Sequence, residues 1–205
     1  TVFVSLEPCS FVGRTPACAQ TLIDSGVARV VVAAVDPNPQ VAGQGIHMLR
    51  DAGITVDVVE LASAKECIQG FAKRITQQRP WVRIKTAASL DGSVALANGA
   101  SQWITGRAAR ANVQYWRARS DAIITGVGSV IADDPRLTVR DPDYAHATAP
   151  LRVVLDSHAR IPSGAQILQG PAATLLVHQH GSGSSELAAG DHVQRVHLAD
   201  GPQDL

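Results

Sequence analysis

The 205-residue sequence is poor in residues that staple a chain or fill irregular cores, with three cysteines, one methionine (Met48) and only 4% aromatic residues. An odd number of cysteines cannot form a fully paired disulfide framework, and a chain of this length does not need one, so a reducing, cytoplasmic setting is expected. An excess of charge is also missing, because eighteen basic side chains balance eighteen acidic ones. Zero net charge without a basic run argues against a partner held by bulk electrostatics, such as duplex nucleic acid or an anionic membrane. Lysine is scarce: apart from Lys65, Lys73 and Lys85, every basic residue is arginine, whose forked guanidinium suits phosphate and carboxylate. The longest apolar runs, such as residues 27–35, are broken by Arg29 or stop well short of the roughly 18 residues of a membrane span. No signal peptide is visible at the start, where residue 1 is Thr.

What remains is globular in character, with 45% hydrophobic and 18% charged residues, and the length allows one large domain or two small ones. Strand patterns at residues 1–6, 29–35 and 54–59 alternate with helix patterns at 16–25, 46–52 and 63–76. Gly53 is a helix stop, and Asp36-Pro37-Asn38-Pro39 is a turn. Alternation of this kind implies a mainly parallel sheet covered on its faces. The polar, proline-bearing segment 77–81 marks a boundary, dividing the chain into domains 1–78 and 79–205. A second series follows: a strand at 81–88, a helix at 105–120 capped by Thr105, and strands at 122–126, 151–156, 174–177 and 193–197. The Gly-Ser stretch 181–185 is a loop.

Cys9 follows the first strand and Cys18 opens the next helix, where free backbone N–H groups favour a thiolate, the form that binds zinc. Read alone, the two are equally a pair of unrelated buried thiols, because zinc pairs commonly have about two to four intervening residues. The words Leu6-Glu7-Pro8-Cys9-Ser10 and Gly13-Arg14-Thr15-Pro16-Ala17-Cys18 closely resemble the deaminase half of the bifunctional deaminase-reductases of riboflavin biosynthesis. The resemblance extends through residues 36–39 and 41–45. It implies a cytidine-deaminase-like three-layer α/β domain with Cys9 and Cys18 as zinc ligands, and Arg14, Asp36 and Asn38 on the ribose phosphate of the substrate. From the residues alone, Arg14 reads as a solvated loop charge and 36–39 as an ordinary turn. In that family a His-x-Glu helix before the Pro-Cys strand supplies the third ligand and the general acid/base. No such word occurs here, and all seven histidines, from His47 onward, lie downstream of Cys9 and Cys18. The catalytic Glu is therefore expected upstream of Thr1, in a domain truncated at its N-terminus, and the chain as it stands is not expected to deaminate. Glu7 belongs to the Leu-Glu-Pro-Cys word and is not that proton shuttle. Cys67 matches no motif and reads as a packed thiol.

The segments 85–92, 101–105 and 121–140 form a long ordered set, containing Thr125-Gly126-Val127-Gly128 and Asp133-Asp134-Pro135-Arg136-Leu137. Together they resemble the reductase half of the same family, implying a dihydrofolate-reductase-like α/β domain, truncated at its C-terminus because the family's later Gly-Gly word has no counterpart. A strand ending in Gly126-Val127-Gly128 and entering a helix presents N–H groups suited to an anion, although it lacks the full dinucleotide fingerprint. The resemblance places Ala87, Trp103, Ser129, Asp133 and Ser157 on NADPH, and Ser101, Arg117, Leu137 and Arg140 on the substrate, the arginines on its phosphate. Taken singly, Trp103 also reads as a core aromatic and Arg117 as a helix-surface charge. Lys85 is either a general acid or a strand-end charge. The implied chemistry is zinc-dependent deamination of a phosphoribosylamino-pyrimidine and hydride transfer from NADPH that reduces its ribosyl chain to ribityl. The expected partners are small phosphoribosylamino-pyrimidines and further copies of the chain as a homo-oligomer, with neither nucleic acid nor membrane. NADPH affinity of this stretch is expected to be weak. A noncatalytic scaffold or ligand-binding module is the alternative. A nucleic-acid deaminase is disfavoured by the neutral charge and scarce aromatics.

Overall fold

The structure is a computed structural model that describes residues 1–179 and 190–199, so the loop expected at 181–185 and the tail from residue 200 lie outside the described residues. The chain divides into two compact units, Thr1–Lys85 and Thr86–Leu205. Each is built on its own parallel sheet.

In the first unit, strands β1 (Val2–Val4), β2 (Arg29–Val32) and β3 (Thr55–Val58) lie side by side in that order, all parallel, with Val2 opposite Val30 and Val30 opposite Val56. Parallel neighbours need crossovers, and helices α1 (Cys18–Asp24) and α2 (Gln44–Asp51) supply them. The valines that alternate along β2 bury one face: Val30 and Val32 pack with Val56, Ala19 of α1, and Ile46 and Leu49 of α2. Gly53, at φ 81°, ends α2 in the left-handed region, as expected of a helix stop. The opposite face is not covered throughout as expected: Phe3, in register with Val31, stays 76% exposed.

The helix expected at 63–76 is two helices, α3 (Ala62–Cys67) and α4 (Gln69–Gln77). Ile68 between them sits at φ −107°, ψ 11°, outside the helical region, and its N–H bonds back to Lys65 in a tightened turn. The break leaves Cys67 at an exposed helix end, so the packed-thiol reading is corrected.

In the second unit, β4 (Ala122–Gly126), β5 (Leu151–Leu155), β6 (Thr174–Gln179) and β7 (Val193–Leu198) are adjacent in chain order and all parallel. Helix α5 (Arg107–Ala118) precedes β4, and α6 (Val127–Asp133) follows it directly. Gly126, Val127 and the next turn thus stand at the C-terminal end of β4. Val127 and Val130 of α6 pack with Val154, Leu176 and the segment carrying Ile161, Ile167 and Leu168 to make the core. Gly106, not Thr105, occupies the N-cap of α5: its carbonyl accepts the Arg110 N–H at 3.2 Å, while the Thr105 carbonyl accepts from the Arg110 side chain. Residues 81–88, expected as a strand, form none. An alternating apolar pattern makes a strand only where a neighbour satisfies its backbone groups, and here Trp81, Val82 and Ile84 are exposed.

Candidate functional site

In open α/β sheets, ligands gather beyond the C-terminal ends of the strands. Cys9 and Asp36 follow β1 and β2 in the first unit, and Ser129 and Ser157 follow β4 and β5 in the second, whereas Arg117 lies in the last turn of α5, which leads into the start of β4. Beyond β1 the chain turns through Glu7, Pro8 and Cys9. Cys9 is anchored to the start of α1 twice: its carbonyl accepts the Ala19 N–H at 3.1 Å, and its Sγ accepts the Cys18 N–H at 3.3 Å. The helix start therefore serves the Cys9 sulfur. The Cys18 thiol is pushed up from its ordinary value, first by the hydrogen bond with the Cys9 side chain, then by burial. Among the described residues no group of three His, Cys, Asp or Glu side chains could hold a metal ion. Two thiols offer half of a four-coordinate zinc shell, so the residues present do not by themselves complete a zinc site.

Glu7, set aside by sequence reasoning, organises this corner. It is 4% exposed, and its carboxylate accepts four backbone N–H groups: Asp36 at 3.2 Å and Gly43 at 2.9 Å on Oε2, Gly45 at 3.0 Å and Ile46 at 3.2 Å on Oε1. Hydrogen bonds to a charged group contribute about 1.5–3 kcal/mol each, more than neutral ones. Gly45 is obligatory at this packing, because a Cβ there would lie 1.8 Å from the Pro8 carbonyl oxygen. Asp36 is buried and accepts the Asn38 N–H at 2.8 Å, while Asn38 accepts the Gln40 N–H at 3.1 Å, which is Asx-turn chemistry. Arg14 lies exposed in the loop between the cysteines.

In the second unit the structure joins two pairs of the expected residues. Ser101 donates its hydroxyl to Asp133 Oδ1 at 3.2 Å, tying an expected substrate contact to an expected cofactor contact. Arg117, half-buried on α5, donates to the Thr138 carbonyl at 3.0 Å, while the Arg140 N–H donates to Gln114 Oε1 at 2.9 Å. Burial and then the nearby Arg140 charge lower the Arg117 guanidinium from its ordinary value. Neither arginine forms an ion pair among the described residues. Leu137 holds φ at 50° and packs against the core. The remaining residues are spread along the same unit. Trp103 is 70% exposed with the Arg110 guanidinium 4.6 Å from its ring centre, so it is not a core aromatic. Ser129 is exposed on α6, Ala87 is half-buried, and Ser157 follows β5 with its carbonyl bonded to the Gln179 N–H at 3.1 Å. No hydrogen bond among the described residues joins Ala87, Trp103, Ser129 or Ser157 to the two pairs.

Sequence reasoning missed three supports. Asp156, fully buried after β5, accepts the Arg160 and Ile161 N–H groups, each at 2.9 Å, and its carbonyl bonds His178 Nδ1 at 2.8 Å. Arg152, 1% exposed inside β5, donates to the carbonyls of Arg136, Gln169 and Ala172. Gln166 holds Asp134 through its backbone N–H at 2.7 Å and its side-chain amide at 2.9 Å. A charge inside the apolar run 151–155 was the one sequence signal for Arg152. Gln166 carried none.

Arg117 and Arg140 stand near one another in a unit built on a parallel α/β sheet, and neither has an acidic partner among the described residues. The family model for the RibD C-terminal domain matches residues 80–200. The chain belongs to the RibD family. It is 45% identical to riboflavin biosynthesis protein RibD of Escherichia coli strain K12, over 85% of this chain and 50% of that protein, and 48% identical to the Haemophilus influenzae protein of the same name, over 78% and 46%. Among solved structures it is similar to Acinetobacter baumannii RibD (44% identity, TM-score 0.78, covering 96% of this chain and 55% of that one). A diaminohydroxyphosphoribosylaminopyrimidine deaminase/5-amino-6-(5-phosphoribosylamino)uracil reductase from Thermotoga maritima matches at 33% identity and TM-score 0.81, covering 95% and 54%. The chain spans about half the length of the relatives it matches. No helix among the described residues is long and apolar enough to cross a membrane.

Proposed function

We propose that residues 79–205 form the dihydrofolate-reductase-like module of a riboflavin-biosynthesis enzyme, which reduces the ribosyl chain of a phosphoribosylamino-pyrimidine to ribityl with NADPH. The observation that carries this reading is the Arg117–Arg140 pair. Two like charges brought together, one of them half-buried and without an acid, fit a doubly charged phosphate. Arg117 is held by Thr138 and the Arg140 backbone by Gln114, so the substrate's phosphate meets a preset pair of donors. Ser101, fixed on Asp133, stands as the hydroxyl between substrate and cofactor.

The C-terminal edge of the second sheet also fits a nucleotide. Open space lies over Gly126 and Gly128, and the Ser129 side chain and the Trp103 ring are exposed. Ala87, Trp103, Ser129, Asp133 and Ser157 would hold NADPH, which supplies the hydride when bound. The protein's part is to bind both partners, align them and keep water out.

Residues 1–78 are, on the same reading, the cytidine-deaminase-like scaffold, with Cys9 and Cys18 as its two thiol ligands and Arg14, Asp36 and Asn38 toward the ribose phosphate. The proposed enzyme is cytoplasmic and works as a homo-oligomer on small molecules.

The test is NADPH oxidation by the enzyme with phosphoribosylamino-uracil as substrate. Arg117→Met raises KM at least tenfold with a smaller change in kcat. Unchanged KM in both Arg117→Met and Arg140→Met refutes the phosphate assignment.

A further inference from the structure

We propose that Glu7 is a positioning residue, which sets the Asp36–Asn38 turn at a fixed place relative to the Cys9 and Cys18 thiols. The inference rests on reading that turn as the part of the first unit that meets a sugar phosphate. Three segments converge on this carboxylate: the stretch just after β1, on which Glu7 itself lies, the turn after β2 and the start of α2. Oε2 holds the N–H groups of Asp36 and Gly43, and Oε1 those of Gly45 and Ile46, so one side chain ties together residues that stand 29 to 39 positions apart from it in the chain. Two residues on from Glu7, Cys9 is bonded to the start of α1 through both its sulfur and its carbonyl. The turn and the thiols are therefore referenced to the same short stretch of backbone. Gly45 packs against the Pro8 carbonyl so closely that no Cβ fits, which leaves α2 no room to slide toward the thiols.

A carboxylate suits this role because it is acceptor-only, with lone pairs for four donors at once. An amide of the same shape does not. In Glu7→Gln one oxygen becomes an NH2 group, so two of the four backbone N–H groups face a donor. The turn loses its reference to Cys9, while β1, β2 and the apolar packing of Val30, Val32 and Val56 are untouched.

The test uses the whole 205-residue chain, with ribose 5-phosphate as the probe and site-resolved amide NMR as the readout. In the wild-type chain the probe shifts the amides of Arg14, Asp36 and Asn38 saturably. Glu7→Gln weakens that affinity at least tenfold and speeds hydrogen exchange at Asp36, Gly43, Gly45 and Ile46, with exchange in β2 unchanged. Equal affinity in the two proteins overturns the inference and leaves the phosphate reading of the turn intact. Exchange that rises equally in β2 shows a purely structural role and also overturns it. If the wild-type chain shows no shift at these residues, the phosphate reading fails and the positioning role falls with it. Should Glu7→Gln not fold, Glu7→Asp gives the same comparison: it keeps the acceptor character but falls one methylene short, and an affinity equal to wild type overturns the inference.

Discussion

The Arg117 guanidinium donates to the backbone carbonyl of Thr138 at 3.0 Å, although the two residues are 21 positions apart and no carboxylate pairs with the arginine among the described residues. The contact joins α5 to the segment that carries Leu137 and Arg140. A half-buried cation beside a second cation is held there at a cost to the fold. Arg117→Met removes the desolvation and the repulsion together while filling the same volume, so stability is expected to stay level or rise by about 1 kcal/mol. Thermal unfolding of the two proteins measures this, and a lowered Tm contradicts it.

Arg152 is the opposite case. It is buried and donates to the carbonyls of Arg136, Gln169 and Ala172. Arg152→Met removes a donor from the Arg136, Gln169 and Ala172 oxygens and is expected to destabilise the second unit by roughly 3 kcal/mol, read as a lower midpoint in urea. Burial alone lowers this guanidinium, since no charged partner contributes.

Gly45→Ala places a Cβ against the Pro8 carbonyl, with no flexible side chain there to yield. Overpacking of this kind costs about 1–3 kcal/mol. The expected result is lower stability with the amides of residues 43–46 shifted in NMR spectra. The same substitution at Gly128, which faces open space, leaves those amides in place.

Asp134 supplies the pH dependence. The Gln166 backbone N–H, then its side-chain amide, hold the Asp134 carboxyl below the usual carboxylate range. A depressed folded pKa adds stability that is present above the unfolded value of about 3.9 and is lost as the pH falls through the lower folded value. Asp134→Asn is therefore less stable than wild type at neutral pH, and the difference shrinks in acid. Urea midpoints measured from pH 7 down to pH 2.5 show the convergence, and a gap that stays constant contradicts it.

Much of this architecture was legible in the residues. The valine runs at 29–35 and 151–155 announced buried parallel strands, and Gly53 and Gly126 stand where a helix and a strand end. The misreadings share a cause. The break at Ile68, the unpaired segment 81–88 and the shift of the α5 cap to Gly106 depend on which groups meet in space. Glu7 was read by its place in a word, whereas its role comes from four N–H groups 29 to 39 residues away. Arg117 and Arg140 were legible through the family resemblance, but their closeness and lack of an acid came only from the fold.

Direct titration of the arginine pair is the most searching measurement. With ribose 5-phosphate added to the whole chain, saturable shifts are expected at Arg117 and Arg140, weakened about 10- to 100-fold in Arg117→Met, as suits the loss of one or more charge-assisted hydrogen bonds of about 1.5–3 kcal/mol. An affinity at these two residues that is the same in wild type and Arg117→Met, or no shift at either residue in the wild-type chain, would contradict the account.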